Sequence, residues 1–509
     1  YWAEQSSIRF FPTPYLNQIM LQPFTEYCML HTYLLTGSDY WVNLVQWFAS
    51  VASLIGVSAV TREFGAGPRG QAVSALFCAT LPGGILASSG AKNDYFLAMW
   101  LLAAIYCALR FARTHAMADA VFCGLALGLA LLTKATAYLF APWLLLAVLF
   151  PVLRSRRRQD LACLVAAGAC ALLLTTPHYA RNLQLSGSIL GFDSAHGDGF
   201  FRWRNETFGW KQTASNMLRN LSEQLGGRSQ ERNQQVYAVV VRAHHWLRID
   251  VNDPATTWRW STFQPPRNAN HEANANSQWH LLILALAGVI ACWRGLRRQG
   301  WLPAVYGFGL FTGFVAFSAY LKWQPFETRL LLPLLVAGAP LAGSVLDTFP
   351  RALPATPRVL PQVLLCLFLL SVARRPVWEN WVRPLKGPRS VFHVPRATQY
   401  FADMTAWDVR PAYERVADLL ARSRCNTIGI DISDFPLEYP LMALVRARQP
   451  SALFLHTGVE NASKPFRQPV DQSPCAVVCL NCAGDRKRED LYRSFSRSLT
   501  IGESLVFEK

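Results

Sequence analysis

The feature that most constrains this chain is a recurring run of about 18 or more apolar residues. Runs of that length match the hydrocarbon thickness of a bilayer crossed by a helix. About ten occur, near 39–60, 68–87, 94–112, 116–133, 136–153, 161–178, 279–294, 301–320, 329–347 and 358–374. The remaining composition agrees: 52% of the 509 residues are hydrophobic and only 16% are charged, where a soluble protein carries about a quarter. The expected fold class is an all-α polytopic membrane bundle.

The scarce charges are clustered. The formal net charge of +17 invites a nucleic-acid reading, but the basic residues sit in short loops between apolar runs and read as topology signals. One set of loops holds Arg62 and Arg69, Arg110 and Arg113, Arg154 and Arg156 to Arg158, Arg294, Arg297 and Arg298, and Arg351 and Arg358. The alternate short loops hold only Lys92, Lys134, Lys322 and Arg329. The positive-inside rule puts the first set in the cytoplasm. Arg374 and Arg375 alone argue against it. It follows that 1–38, the loop around Asp94, the long loop 179–278, the turn 321–328 and the tail from 375 lie outside, which in a bacterium is the periplasm. A site on that face has no ready access to cytosolic ATP or nucleotide sugars.

The expected divisions are a partial first external loop (1–38), spans within 39–178, a large external loop (179–278), spans within 279–374, and a soluble domain (375–509). In that tail, "AYERVADLLARS" and "PLEYPLMALVRAR" have helical spacing and "CNTIGIDI" and "CAVVCL" read as strands, so a small α/β domain is expected. Seven of the twelve cysteines fall in apolar runs. Cys425, Cys475, Cys479 and Cys482 fall in the tail, where disulfides on an oxidising face or free thiols fit better than zinc. Tyr1 opens on a polar-aromatic segment with no signal peptide, and we expect sequence upstream of it.

Five polar stretches at the outer membrane edge carry the candidate chemistry. In "SSGAKNDYFLAMW", Lys92, Asn93 and Asp94 head an apolar run; helix capping explains an acid or amide there but not a lysine. In "LQPFTEYCML", Glu26 lies among apolar neighbours, either solvated or facing a site. In "PHYARN", His178, Arg181 and Asn182 follow a span, and Arg181 suits either bidentate phosphate recognition or anchoring at headgroups. In "HEANANSQWH", His271, Glu272 and His280 suit either a metal, though the spacing is not that of two ligands on one helical face, or, with Asn276, hydrogen bonds to sugar hydroxyls. In "YLKWQPFETRLLLP", Lys322, Trp323, Gln324 and Arg329 crowd one turn, as a sugar-phosphate site or as an interfacial aromatic belt with snorkelling cations. "GAGPRG" follows an apolar helix and is no dinucleotide loop. Gly124 and Gly128 form a GxxxG, a site for close helix approach. The sequons at Asn205, Asn220 and Asn461 are chance-level matches.

As an ordered set, "QPFTEY", "LVQWFASVASLIGVSAVTREFG", "SSGAKNDYF", "GLALGLALLTKATAYLFAP", "PHYARN", "HEANANSQWH" and "KWQPFETRLLLP" resemble the GT-C superfamily of polytopic glycosyltransferases. The likeness is to the family of protein mannosyltransferases and lipid A aminoarabinose transferases, over about residues 1–375. It implies a helical bundle with an outward-facing site and a sugar donor carried on polyprenyl phosphate. The acceptor would be an extracytoplasmic lipid, glycan or protein. It also implies a leading acidic residue in the first external loop, expected upstream of Tyr1. Asp94 resembles the acid of the second external loop and Glu26 a polar position of the first; both are the catalytic candidates here. Arg181, Lys322 and Arg329 are the candidates for the donor phosphate. Lys92, Asn93, His178, Asn182, His271, Glu272, Asn276, Trp323 and Gln324 are candidates for substrate contact. No cofactor is certain; a divalent metal ion is a candidate without supporting ligand spacing. The competing readings are a transporter or lipid flippase, which would want mid-span charges and internal repeats, and a non-catalytic assembly or receptor protein.

Overall fold

The computed structural model describes the chain except Arg156, 192–202, Arg298, 349–354, 403–405, 434–435 and 467–472. Three of the loop arginines used above, Arg156, Arg298 and Arg351, therefore lie outside the described residues. The chain forms two compact units, one comprising Gln22–Arg181 and Asp198–Asn380, the other Tyr1–Leu21, Asn182–Gly197 and Trp381–Lys509.

Two short helices, α1 (Trp2–Gln5) and α2 (Asn17–Met20), open the chain in the smaller unit. The larger unit is a helical bundle. Its elements are α3 (Phe24–Thr36), α4 (Leu44–Glu63), α5 (Pro68–Ala79), α6 (Pro82–Ser88), α7 (Asp94–Thr114), α8 (Met117–Thr133), α9 (Ala137–Ser155) and α10 (Arg158–Ser186). After these come α11 (Trp210–Gln224), α12 (Gln230–Leu247), a hairpin of β1 (Asn270–His271) and β2 (Asn274–Ala275), α13 (Gln278–Leu296), α14 (Leu302–Tyr320), α15 (Glu327–Leu330), α16 (Leu332–Thr348) and α17 (Ala355–Trp378). Seven of these are long and apolar enough to cross a membrane, and α5 with α6 makes an eighth if the bent pair is one span. Two shorter apolar helices, Met117–Thr133 and Leu332–Asp347, account for the remaining apolar runs.

The run 68–87 departs from a straight span. It breaks between Ala79 and Pro82 with a bend of 68°. Pro82 has no backbone N–H to continue the ladder and occupies the first turn of α6 instead. Thr80, at the break, bonds its hydroxyl to His280 Nε2 on α13 at 3.1 Å.

The core is built round α7. Of its apolar window 61% is buried, against at most 39% for the other candidate spans. Leu97, Leu101, Ile105 and Ala108 of α7 meet Val57 and Val60 of α4, Phe140 and Leu144 of α9, and Leu335 and Ala339 of α16. The free N–H of Phe96 in its first turn donates to Gln46 Oε1 of α4 at 3.3 Å, so a neighbouring helix satisfies one orphan donor. At the opposite end of α7, exposed arginines meet largely buried acids: Arg113 with Glu63 at 3.3 Å and Arg110 with Asp119 at 3.1 Å.

The smaller unit holds α18 (Arg396–Gln399), α19 (Arg410–Ser423), α20 (Glu438–Arg448) and α21 (Arg486–Leu491) with a five-stranded sheet. Its strands are β3 (Thr427–Ile432), β4 (Leu453–His456), β5 (Ala476–Leu480), β6 (Arg497–Ile501) and β7 (Ser504–Glu508), in the order β4-β3-β5-β7-β6. The first three are parallel, and β7 and β6 add antiparallel. Ile428, Ile430 and Val478 pack on Val416, Leu420 and Val445 on one face, while Val477, Phe507 and Tyr492 cluster on the other, the period-2 alternation of a strand. Disulfides join Cys425 to Cys475 and Cys479 to Cys482. Residues 1–21 dock on this domain. Phe11 stacks with Tyr1 and with His456, Gln18 Nε2 donates to Glu438 Oε1 at 2.5 Å, and Thr13 N donates to Ser463 Oγ at 3.0 Å.

The sequons are structural. Asn205 and Asn220 are buried, and Asn461 donates to the Thr13 and Pro14 carbonyls.

Gly124 and Gly128 do what their spacing suggests. A Cβ at Gly124 would lie 2.1 Å from the Ala167 carbonyl oxygen of α10, and one at Gly128 would lie 3.0 Å from Ala171 Cα. Backbone cannot give way as a side chain can. Gly124→Leu is expected to cost about 1–3 kcal/mol by overpacking and to lower the melting temperature in detergent, whereas Gly168→Ala, with nothing within 4 Å, is expected to leave it unchanged.

Candidate active site

Asp94 is the first residue of α7, the most enclosed of the long candidate spans, and it is fully buried. Capping does not explain it: Asn93 holds the N-cap position with no side-chain cap bond. The Asp94 carboxylate instead faces cations from two other elements. Lys134, in the link between α8 and α9, hydrogen-bonds Asp94 Oδ1. Arg329 of α15 brings Nε to 3.7 Å from Asp94 Oδ2. That is charge contact without a hydrogen bond, and among the described residues neither Oδ2 nor Nε has a hydrogen-bond partner. A buried carboxylate is costly unless paired, so Lys134 and Arg329 are required where they stand.

The neighbouring polar residues extend this cluster. Asn93 Nδ2 lies 3.5 Å from Glu26 Oε1. Glu26 sits in the first turn of α3 with its side chain reached by water; the protein round its carboxyl pushes its pKa up to about 7, with Lys134 and the Asn93 hydrogen bond opposing that rise. Lys92 Nζ pairs with Glu272 Oε1 at 3.2 Å. Glu272 is buried at the tip of the β1–β2 hairpin. Thus Glu26, Lys92, Asn93, Asp94, Glu272 and Arg329, from four separate stretches of sequence, meet in one cluster. Lys134 belongs with them; the sequence shows it only as a lone loop cation in "LLTKATA".

The other candidates are placed elsewhere. Lys322 does not join Arg329: it is buried with Nζ 2.7 Å from Glu206 Oε1 and 2.9 Å from the Pro254 carbonyl oxygen. Trp323 is not a membrane-interface residue. It is 1% exposed, packs on Val240 and Phe263 of the large loop and lies under the Arg219 guanidinium. Its backbone N–H donates to Thr256 and its carbonyl accepts from Trp258, so the turn is threaded into that loop. Gln324 is also buried there. Arg181 donates to Tyr27 Oη at 3.0 Å and to the Pro177 carbonyl at 3.3 Å, and His178 is buried beside it in α10. Asn182 belongs to the smaller unit and donates to the Met20 and Leu190 carbonyls. His271 Nδ1 accepts from Ala273 N at 3.1 Å, and Asn276 Nδ2 donates to the Glu223 carbonyl at 2.6 Å. Among the described residues no three His, Cys, Asp or Glu side chains converge as a metal site.

Residues 22–180 match the family model described as Dolichyl-phosphate-mannose-protein mannosyltransferase. That stretch contains Glu26, Lys92, Asn93, Asp94 and Lys134. Among solved structures, the chain is similar to ArnT from Cupriavidus metallidurans bound to undecaprenyl phosphate, with 13% identity and a TM-score of 0.50 over 99% of this chain and 92% of that one. It is also similar to ArnT from the same organism in the apo state, with 14% identity and a TM-score of 0.48 over 99% and 95%. No curated protein matches it by sequence. The chain is an integral membrane protein with the GT-C fold and a small C-terminal α/β domain.

Lys134→Met strands the buried Asp94 carboxylate and is expected to cost about 3–5 kcal/mol, seen as a lower melting temperature in detergent. Adding Asp94→Asn removes the stranded charge and is expected to recover much of that loss.

Proposed function

We propose that this protein transfers a glycosyl group from a polyprenyl-phosphate donor to an extracytoplasmic acceptor. The observation that carries the reading is the Asp94–Lys134–Arg329 cluster at the head of the most enclosed of the long candidate spans of a GT-C fold. The solved ArnT structure bound to undecaprenyl phosphate supports the donor class.

The charges suit that donor. Lys92, Lys134 and Arg329 face Asp94 and Glu272, a surplus of one positive charge while Glu26 is neutral. A departing lipid phosphate gains most from cations already in place. Arg329 meets Asp94 through charge alone at Nε, and its side chain is 26% exposed, which leaves the guanidinium within reach of a phosphate oxygen. We assign Asp94 to orienting the two cations and Glu26 to deprotonating the acceptor hydroxyl or amine. A base works best with a pKa near the operating pH, and Glu26 is tuned there by burial.

The alternation of basic loops supports an extracytoplasmic location for this cluster, in a bacterium the periplasmic face of the inner membrane. The two disulfides of the C-terminal domain, which the same alternation puts outside, suit an oxidising compartment. The sugar is a hexose or a pentose, and a lipid extract of a deletion strain, screened by mass, identifies which is missing.

In liposomes supplied with a radiolabelled undecaprenyl-phosphate sugar, Asp94→Asn is expected to lower transfer by on the order of 100-fold or more while expression persists; wild-type turnover would remove Asp94 from the site. Arg329→Ala is expected to weaken apparent donor affinity, and an unchanged value would exclude its phosphate role. For Glu26 the sign is fixed. A base must be ionised, so kcat/KM is expected to rise with pH through about 7 and level off above it, and Glu26→Gln is expected to remove that rise.

A further inference from the structure

We propose that Thr328 is a positioning residue for this centre: its hydroxyl locks the turn that carries Arg329 to the hairpin that carries Glu272. The inference rests on the phosphate-donor reading above.

The Thr328 hydroxyl has two partners, both on the hairpin. It accepts from Ala275 N at 3.1 Å and donates to the Ala273 carbonyl at 3.2 Å. Thr328 and Ala275 are buried. The residue after Thr328 is Arg329, which faces Asp94. The residue before Ala273 is Glu272, which pairs with Lys92, two positions ahead of Asp94. A closed ring results: Asp94, Arg329, Thr328, the hairpin, Glu272, Lys92 and back to Asp94. Two of its three non-covalent links are ion pairs at 3.7 and 3.2 Å. The Thr328 hydroxyl is the link made of directional hydrogen bonds.

The ring needs such a link. Strands of two residues do not hold a hairpin by themselves. This one is tied at its ends, where Asn270 Nδ2 donates to the Glu379 carbonyl at 2.8 Å and Ser277 N donates to Gln224 Oε1 at 2.8 Å. Neither tie touches the turn. Arg329 in turn has no hydrogen bond at Nε, so a shift of Thr328 moves its neighbour directly. With the hydroxyl in place, Lys92 and Arg329 are held near Asp94 before any donor arrives, and preorganised cations bind and stabilise an anion without rearranging.

The test compares wild type, Thr328→Val and Thr328→Ser as full chains in liposomes. Binding of undecaprenyl phosphate alone is measured together with kcat and KM for the sugar-loaded lipid. Thr328→Val keeps the shape and loses both bonds; Thr328→Ser keeps the hydroxyl. Expected are about tenfold weaker binding and a KM raised by a similar factor in Thr328→Val, with Thr328→Ser within about twofold of wild type. A purely structural role would lower the melting temperature and the active fraction while leaving both constants unchanged, and that result overturns the proposal. If wild type itself fails to bind undecaprenyl phosphate, the donor reading falls and the inference with it; if wild type binds and Thr328→Val binds equally well, the inference alone falls.

Discussion

A carboxylate with no exposure to water, at the head of the helix round which the bundle packs, is the constraint on which the rest of this structure depends. Asp94 cannot be buried alone. Its partners come from the link after α8 and from α15, nearly 200 residues further along the chain. Those elements must converge on one end of α7, and the helices joined to them are then fixed in order and direction. The polar cluster and the apolar core are therefore one problem solved together. Leu97 and Leu101 bury the flank of the helix whose first residue the cations hold.

The two ends of the bundle use charge differently. At the end that carries Arg110 and Arg113, acids from neighbouring helices pair with arginines that remain largely exposed. Such pairs contribute little to stability, and their value is in orienting the chain across the bilayer. At the Asp94 end the charges are few, enclosed and drawn from distant segments. Energy is spent there on holding cations in place, which suits binding a lipid-linked anion at the membrane edge.

How much of this was legible depends on range. The apolar runs emerge as helices because hydropathy over 18 residues is a local property; the break at Thr80 to Pro82 was signalled only by the proline. Asp94, Glu26, Lys92, Glu272 and Arg329 stood out because charges are rare at the outer edge, yet their mutual pairing is a tertiary fact. Lys134 was visible only as a loop cation, since nothing in "LLTKATA" says which acid it meets. Lys322 and Trp323 show the limit of composition. An aromatic beside a cation reads the same at a membrane interface and in a buried loop core, and the Arg219 and Glu206 partners that decide it lie about 100 residues away. The docking of residues 1–21 on the C-terminal domain was illegible: "RFFPTP" has no periodicity, and its partners Ser463 and His456 are more than 440 residues distant.

The role proposed for the Asp94 cluster turns on its receiving a lipid-linked phosphate. The most direct test is an experimental density map of the full chain with undecaprenyl phosphate added. Phosphate density is expected within hydrogen-bond reach of Arg329 or Lys134, on the side of the bundle where Glu26 meets water. Density instead in the hollow lined by Phe64, Arg294 and Trp301, with the Asp94 cluster empty, would contradict it.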